Sequence, residues 1–217
     1  MVERKLSDGS RIELRAVRPT DKEGLEAAFA RLSPASRYRR FFAPMQRLSQ
    51  ADLRYLTEVD HRDHEAVVAI GPDGELIGVV RYVRREQPGE AEVAVVVADE
   101  WQGRGVATAL LERLIERAAR NGIEHFVALV LQENSEALEL FRGIAPNDPA
   151  PRRMGNGQVE LVIDVPTGGI SGTLLGRALR TAASGRVVIH PWRIIKRRLE
   201  GRSTDGAPGE GSSAPGG

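Results

Sequence analysis

The succession of elements along this chain predicts an α+β fold, a mixed central β-sheet flanked by helices. Three observations carry the prediction. One half-buried strand is followed by helical segments before a second strand appears; three strands then follow in succession across short turns; and each of the last two strands is preceded by an amphipathic helix. A doubly wound parallel sheet would instead alternate strand and helix throughout.

The first strand is Arg11 to Val17, where Ile12, Leu14 and Ala16 alternate with Arg and Glu, the period of two expected when one face is buried. Residues 1–9 read as a charged N-terminal arm. Pro19 ends the strand, and Thr20 with Glu23 has capping-box spacing for a helix from Asp21 to about Leu32. Leu25, Ala28, Phe29 and Leu32 share one face of it. Ser33 and Pro34 suit the N-cap and first position of a second helix toward Phe42, and a third short helix follows Ser49.

Ala66 to Ile70, a Gly71-Pro72-Asp73-Gly74 turn and Leu76 to Val83 form a β-hairpin, and Ala91 to Val97 is the fourth strand of this count. From Ala107 to Asn121, Leu110, Leu111, Leu114, Ile115 and Ala118 recur with helical period, closed by Gly122 at the C-cap. Phe126 to Leu131 is a continuous apolar strand of the kind buried on both faces. A helix over Asn134 to Phe141 and a strand over Val159 to Val165 complete a domain spanning 10–166.

Residues 167–217 form a basic extension, with a Gly168-Gly169 linker, a helix-compatible stretch from Thr173 to Ala183, and disorder expected from about residue 203, where Gly, Pro and Ser dominate. In its basic segment, Trp192, Ile195 and Leu199 share one helical face among Arg193, Lys196, Arg197 and Arg198, which suits a membrane surface, an acidic partner or docking on the chain's own acidic body.

Composition narrows the function classes. Hydrophobic residues at 41% and charged residues at 28% are globular usage, so a packed core is expected. The chain has no Cys, which excludes disulfides, thiolate metal sites and a Cys nucleophile. The charged start, Met1 to Asp8, has no apolar signal core, and no stretch approaches a membrane span; we expect a cytoplasmic protein. Residues 168–217 hold eight Lys/Arg against three Asp/Glu, leaving 23 against 27 in the rest. A mildly acidic body argues against a nucleic-acid partner.

The fourth strand runs through Ala98-Asp99-Glu100-Trp101 into Gln102-Gly103-Arg104-Gly105-Val106-Ala107-Thr108, and the long helix starts there. Two glycines let several backbone N–H groups converge on an anion at a helix N-terminus, and Arg104 adds a charged donor. A dinucleotide-binding loop needs a third glycine and a Walker loop needs Gly-Lys; neither is present.

Gln102, Gly105 and Ala107 occupy the three defining places of Gln/Arg-x-x-Gly-x-Gly/Ala, so the run resembles the signature of the GNAT superfamily of N-acetyltransferases. Ala91 to Val97 resembles that family's fourth strand and Glu133 to Phe141 its fourth helix. Leu32 to Phe42, with Glu90 to Ala94, is similar to bacterial protein lysine acetyltransferases of the Pat type. The likeness covers roughly Arg11 to Val165.

The resemblance implies acetyl-CoA as cosubstrate, its diphosphate on the backbone of Gln102, Gly103, Arg104, Gly105, Val106, Ala107 and Thr108, and its pantetheine arm and thioester oxygen near the amides of Val95 and Val97. It implies a protein lysine or a small amine as acceptor. Glu92 stands where relatives place a general base, shielded in this reading by Ala91, Val93 and Val95; the alternative is a solvent-facing strand residue. Asn134 matches a cofactor contact and equally suits a helix N-cap. Relatives place a Tyr where this chain has Phe141, so a general-acid role does not carry over. A non-catalytic acyl-CoA sensor is the rival reading.

His61 and His64 have a spacing compatible with metal ligation, yet no further ligands accompany them and no metal is expected. Arg37, Tyr38, Arg39 and Arg40 suit either the acceptor entrance or a solvated helix face.

Overall fold

In the computed structural model the described residues are 1–41, 45–144, 151–155 and 157–166, the side chain of Ile144 excepted. The readings at Phe42, Thr173 to Ala183, Trp192 to Leu199 and the terminal tail lie outside them. Eight strands form one sheet: β1 (Val2–Lys5), β2 (Arg11–Ala16), β3 (His64–Ile70), β4 (Leu76–Arg84), β5 (Glu90–Val97), β6 (His125–Leu131), β7 (Arg152–Met154) and β8 (Gln158–Asp164), in the order β1-β2-β3-β4-β5-β6-β8-β7. Among the described residues five α-helices accompany them, α1 (Lys22–Arg31), α2 (Pro34–Phe41), α3 (Gln50–Thr57), α4 (Val106–Arg120) and α5 (Ser135–Ile144).

Every pairing is antiparallel except β5 with β6, which α4 connects as a crossover. Such a sheet is mixed, as the α+β prediction requires. Two apolar clusters hold it between layers. On one face Leu110, Leu111, Leu114 and Ile115 of α4 pack with Val93 and Val95 of β5 and with Leu140 and Phe141 of α5. On the other, Leu25, Phe29, Leu53 and Leu56 of α1 and α3 cover Ala66, Val68 and Val79.

The first nine residues are not an arm. Val2–Lys5 adds an edge strand whose Arg4 pairs with Glu112 on α4, and Leu6 is buried in the core. Its alternation is too short and too charged to register as a strand. The start of α1 also differs from the Thr20–Glu23 expectation. A 3-10 turn at Pro19–Asp21 precedes the helix, and Asp21 accepts the Arg18 amide at 2.7 Å and both Arg15 nitrogens at 2.8 Å. By contrast α3 carries a capping box of its own, Ser49 with Asp52.

Candidate active site

The parallel pair β5–β6 is registered over three positions, Glu90 with His125, Ala91 with Phe126 and Glu92 with Val127. Beyond Glu92, β5 continues to Val97 bonded to β4, and β6 continues to Leu131 bonded to β8. Held on their outer edges and released on their inner ones, the two strands open a wedge. The Ala98 amide donates to the Ile77 carbonyl of β4 at 2.8 Å. Alternation along the strand therefore turns the amides of Val95 and Val97 away from β4, toward the wedge.

At the mouth of the wedge a 3-10 turn, Asp99–Trp101, leads into the glycine loop. Gly103 (φ 75°) and Gly105 (φ 91°) occupy left-handed conformations that side chains disfavour. Among the described residues no side chain caps α4, so the first-turn amides of Val106 and Ala107 have no intrahelical acceptor. Donors converging at a helix N-terminus suit a polyanion. Gln102 braces the loop from below, its Nε2 donating to the Val97 carbonyl at 2.9 Å and to Asp99 Oδ1 at 3.0 Å. Thr108 is buried in the first turn of α4.

Arg104, expected as a phosphate contact, is engaged with its own fold. Its guanidinium lies 4.8 Å from the centre of the Trp101 ring, Nη1 is 3.5 Å from Asp8 Oδ2, and its carbonyl accepts Ser7 Oγ at 3.3 Å. The β1–β2 turn thus touches the loop directly.

Glu92 is the last paired residue before the wedge opens and is 6% exposed, so the solvent-facing alternative does not hold. Its surroundings differ from the sequence reading. Ala91, Val93 and Val95 point into the α4-side core, whereas Glu92 shares the opposite face with Ala94 and Val96. Arg81 pairs with Ala94 and is therefore a diagonal neighbour of Glu92.

Arg40 of α2 completes this group. Burial first, then repulsion from Arg81, pulls the Arg40 guanidinium down to about 9, while the charge of Glu92 acts in the opposite direction. Burial brings Arg81 to about 10. Both remain cations at neutral pH. Arg81 Nη1 lies 3.1 Å from His64 Nε2 and its Nη2 donates to the Leu56 carbonyl at 3.2 Å. A single charge inside the apolar run Ile77 to Val83 was the sequence signal for Arg81 that went unread.

Comparison with known proteins decides what the wedge and loop belong to. The acetyltransferase (GNAT) family profile matches residues 28–144. This chain is a member of the GNAT acetyltransferase family. An acetyltransferase of Pseudomonas aeruginosa is 36% identical over 127 residues, which cover 57% of this chain and 68% of that protein. The acetyltransferase Pat of Mycolicibacterium smegmatis is 38% identical over 123 residues, covering 56% of this chain and 37% of that protein. Among solved structures, the GNAT domain of S. lividans PAT is 35% identical with a TM-score of 0.68, and the match covers 75% of this chain and 96% of that one. The enzyme class is acetyl-CoA-dependent N-acyltransferase.

Other expected residues of this GNAT domain fall as follows. Asn134 is buried and its Oδ1 accepts the Ala137 amide at 3.2 Å, which is the N-cap role. Phe141 is buried among apolar residues beneath the sheet. His61 and His64 turn to different partners, His61 Nδ1 lying 2.8 Å from Glu65 Oε1. Among the described residues no group of three or more His, Asp or Glu could hold a metal ion, and no helix is long and apolar enough to cross a membrane. Of the basic run on α2, Arg37 folds back to donate to the Ala30 carbonyl at 2.8 Å, Tyr38 is exposed and Arg40 is buried.

Proposed function

We propose that this cytoplasmic GNAT enzyme moves the acetyl group of acetyl-CoA directly onto an amine, with a protein lysine as acceptor and Glu92 as general base. One observation carries the reading: Glu92 stands buried at the point where β5 and β6 part, next to a wedge whose mouth is the helix N-terminus at Gly105. The diphosphate would rest on the loop from Gln102 to Thr108, and the amides of Val95 and Val97 face the wedge, where they can donate to charge developing on the thioester oxygen. Asn134 at the start of α5 is a further candidate contact.

A lysine amine of pKa about 10.4 is protonated at pH 7, and freeing it costs about 4.6 kcal/mol. Glu92 removes most of that cost by accepting the proton as the nitrogen attacks. The carbon–nitrogen bond forms, the carbon–sulfur bond breaks, and the sulfur leaves as a thiolate. With a thiol pKa of about 8.5 that departure needs little acid assistance, in keeping with Phe141. The relatives named Pat support a protein acceptor.

The test is an acceptor screen by mass spectrometry, with protein extracts beside free amino acids, polyamines and aminoglycosides, comparing wild type with Glu92→Gln. We expect modified lysines and a turnover about 10²-fold or more lower in the variant, with acetyl-CoA affinity unchanged. A wild type that binds coenzyme A yet transfers to no amine would make the chain a sensor instead.

A further inference from the structure

Arg40 and Arg81 also line a cleft on the α1–α3 side of the sheet, otherwise walled by apolar residues that include Leu25, Phe29, Leu32 and Leu48. The two arginines are 3% and 1% exposed. Nη1 of Arg40 and Nε of Arg81 are buried and have no hydrogen-bond partner among the described residues.

Among the described residues the local charge does not balance. The carboxylate of Glu92 acts on Arg40, and His64 and Tyr55 are the other titratable groups, among the described residues, beside the two buried cations. His64 Nε2 sits 3.1 Å from an arginine donor, the position of a neutral imidazole acting as acceptor. A buried guanidinium lacking a counter-charge is strongly destabilising, and its planar donor fork matches a carboxylate.

We propose that this cleft binds a small carboxylate with an apolar body, the carboxylate on Arg40 and Arg81 and the body among the leucines and Phe29. As a second acceptor beside the protein lysine, which rests on the acetyl-transfer reading above, such a molecule is an α-amino acid with an apolar side chain. Its amine nitrogen forms the amide bond to the acetyl carbon, the carbon–sulfur bond breaks to release the thiolate, and Glu92 takes the proton lost by nitrogen. Without a reactive amine, the same carboxylate is a ligand that is held and not acetylated.

The test is calorimetry on the full chain without coenzyme A, using 4-methylpentanoate, 4-methylpentanamide and L-leucine. The acid should bind at least tenfold more tightly than the amide of the same shape, and Arg40→Gln and Arg81→Gln should each remove that preference. Equal binding of acid and amide to the wild type, or no binding of either at millimolar concentration, overturns the proposal even if a variant fails to fold. Adding acetyl-CoA with leucine separates the two sources. N-acetyl-leucine assigns the carboxylate to an acceptor, whereas binding without product assigns it to a ligand that is not acetylated. Failure to acetylate any amine while the acid still binds would sink the acetyl-transfer reading and leave the cleft assignment standing.

Discussion

Asp99 accepts the Ser36 hydroxyl at 2.7 Å, joining the first turn of α2 to the turn between β5 and α4. The same carboxylate accepts the Ser33 amide at 2.9 Å and Gln102 Nε2 at 3.0 Å. One side chain therefore positions both the helical layer over Glu92 and the base of the glycine loop. Replacing it with Ala strands a backbone amide and a hydroxyl, and Asp99→Ala should cost about 1–3 kcal/mol in denaturant unfolding. It should also raise KM for acetyl-CoA more than it lowers kcat, because the loop loses its brace and Glu92 stays in place.

Gly105 tests the loop itself. At φ 91° a β-carbon meets the left-handed penalty, so Gly105→Ala should destabilise by about 1–2 kcal/mol and weaken coenzyme A binding in calorimetry. Gly122 provides the control, since it has φ 69° and open space where a β-carbon would stand. Gly122→Ala should lose comparable stability and leave coenzyme A affinity unaltered.

Leu114 of α4 is fully buried at the centre of the larger apolar cluster. Leu114→Ala should cost about 2–5 kcal/mol, the combined loss of transfer energy and the cavity left behind. Thermal unfolding would report it, while coenzyme A affinity measured well below the transition should not change.

Acid stability should depend on Asp21. Burial pushes its carboxyl up, but the hydrogen bonds from Arg15 and the Arg18 amide outweigh this and hold it below the ordinary 3.8. A carboxyl with a depressed folded pKa contributes stability above its unfolded value and loses it as pH falls through the folded one. Asp21→Asn should thus be less stable than wild type at pH 7, with the gap closing below about pH 4 in unfolding experiments run at several pH values.

Much of the fold was legible from local pattern. The α4 stripe of Leu110, Leu111, Leu114 and Ile115 and the hairpin around Gly71 to Gly74 appear where periodicity and turn chemistry placed them. The edge strands β1 and β7 escaped, being short, charged and stabilised by their neighbours in the sheet. The turn from Gln102 to Thr108 was readable because its residues are contiguous and its glycines have a backbone reason to be there. The buried Arg40–Arg81 pair was not, because one residue comes from α2 and the other from β4.

Short-range rules, helical period, strand alternation and glycine at a strand-to-helix turn, were thus enough for the α+β class and the glycine loop, while only the family resemblance pointed to Glu92. They could not say which face of β5 Glu92 occupies among its neighbours, that β5 and β6 separate just beyond it, or that two guanidiniums lie buried beside it. Those features depend on strand pairing and on burial shared between distant segments. Both arise from the free energy of the whole packed chain, so a local window can mark a lone charge in an apolar strand, as at Arg81, without saying what that charge faces.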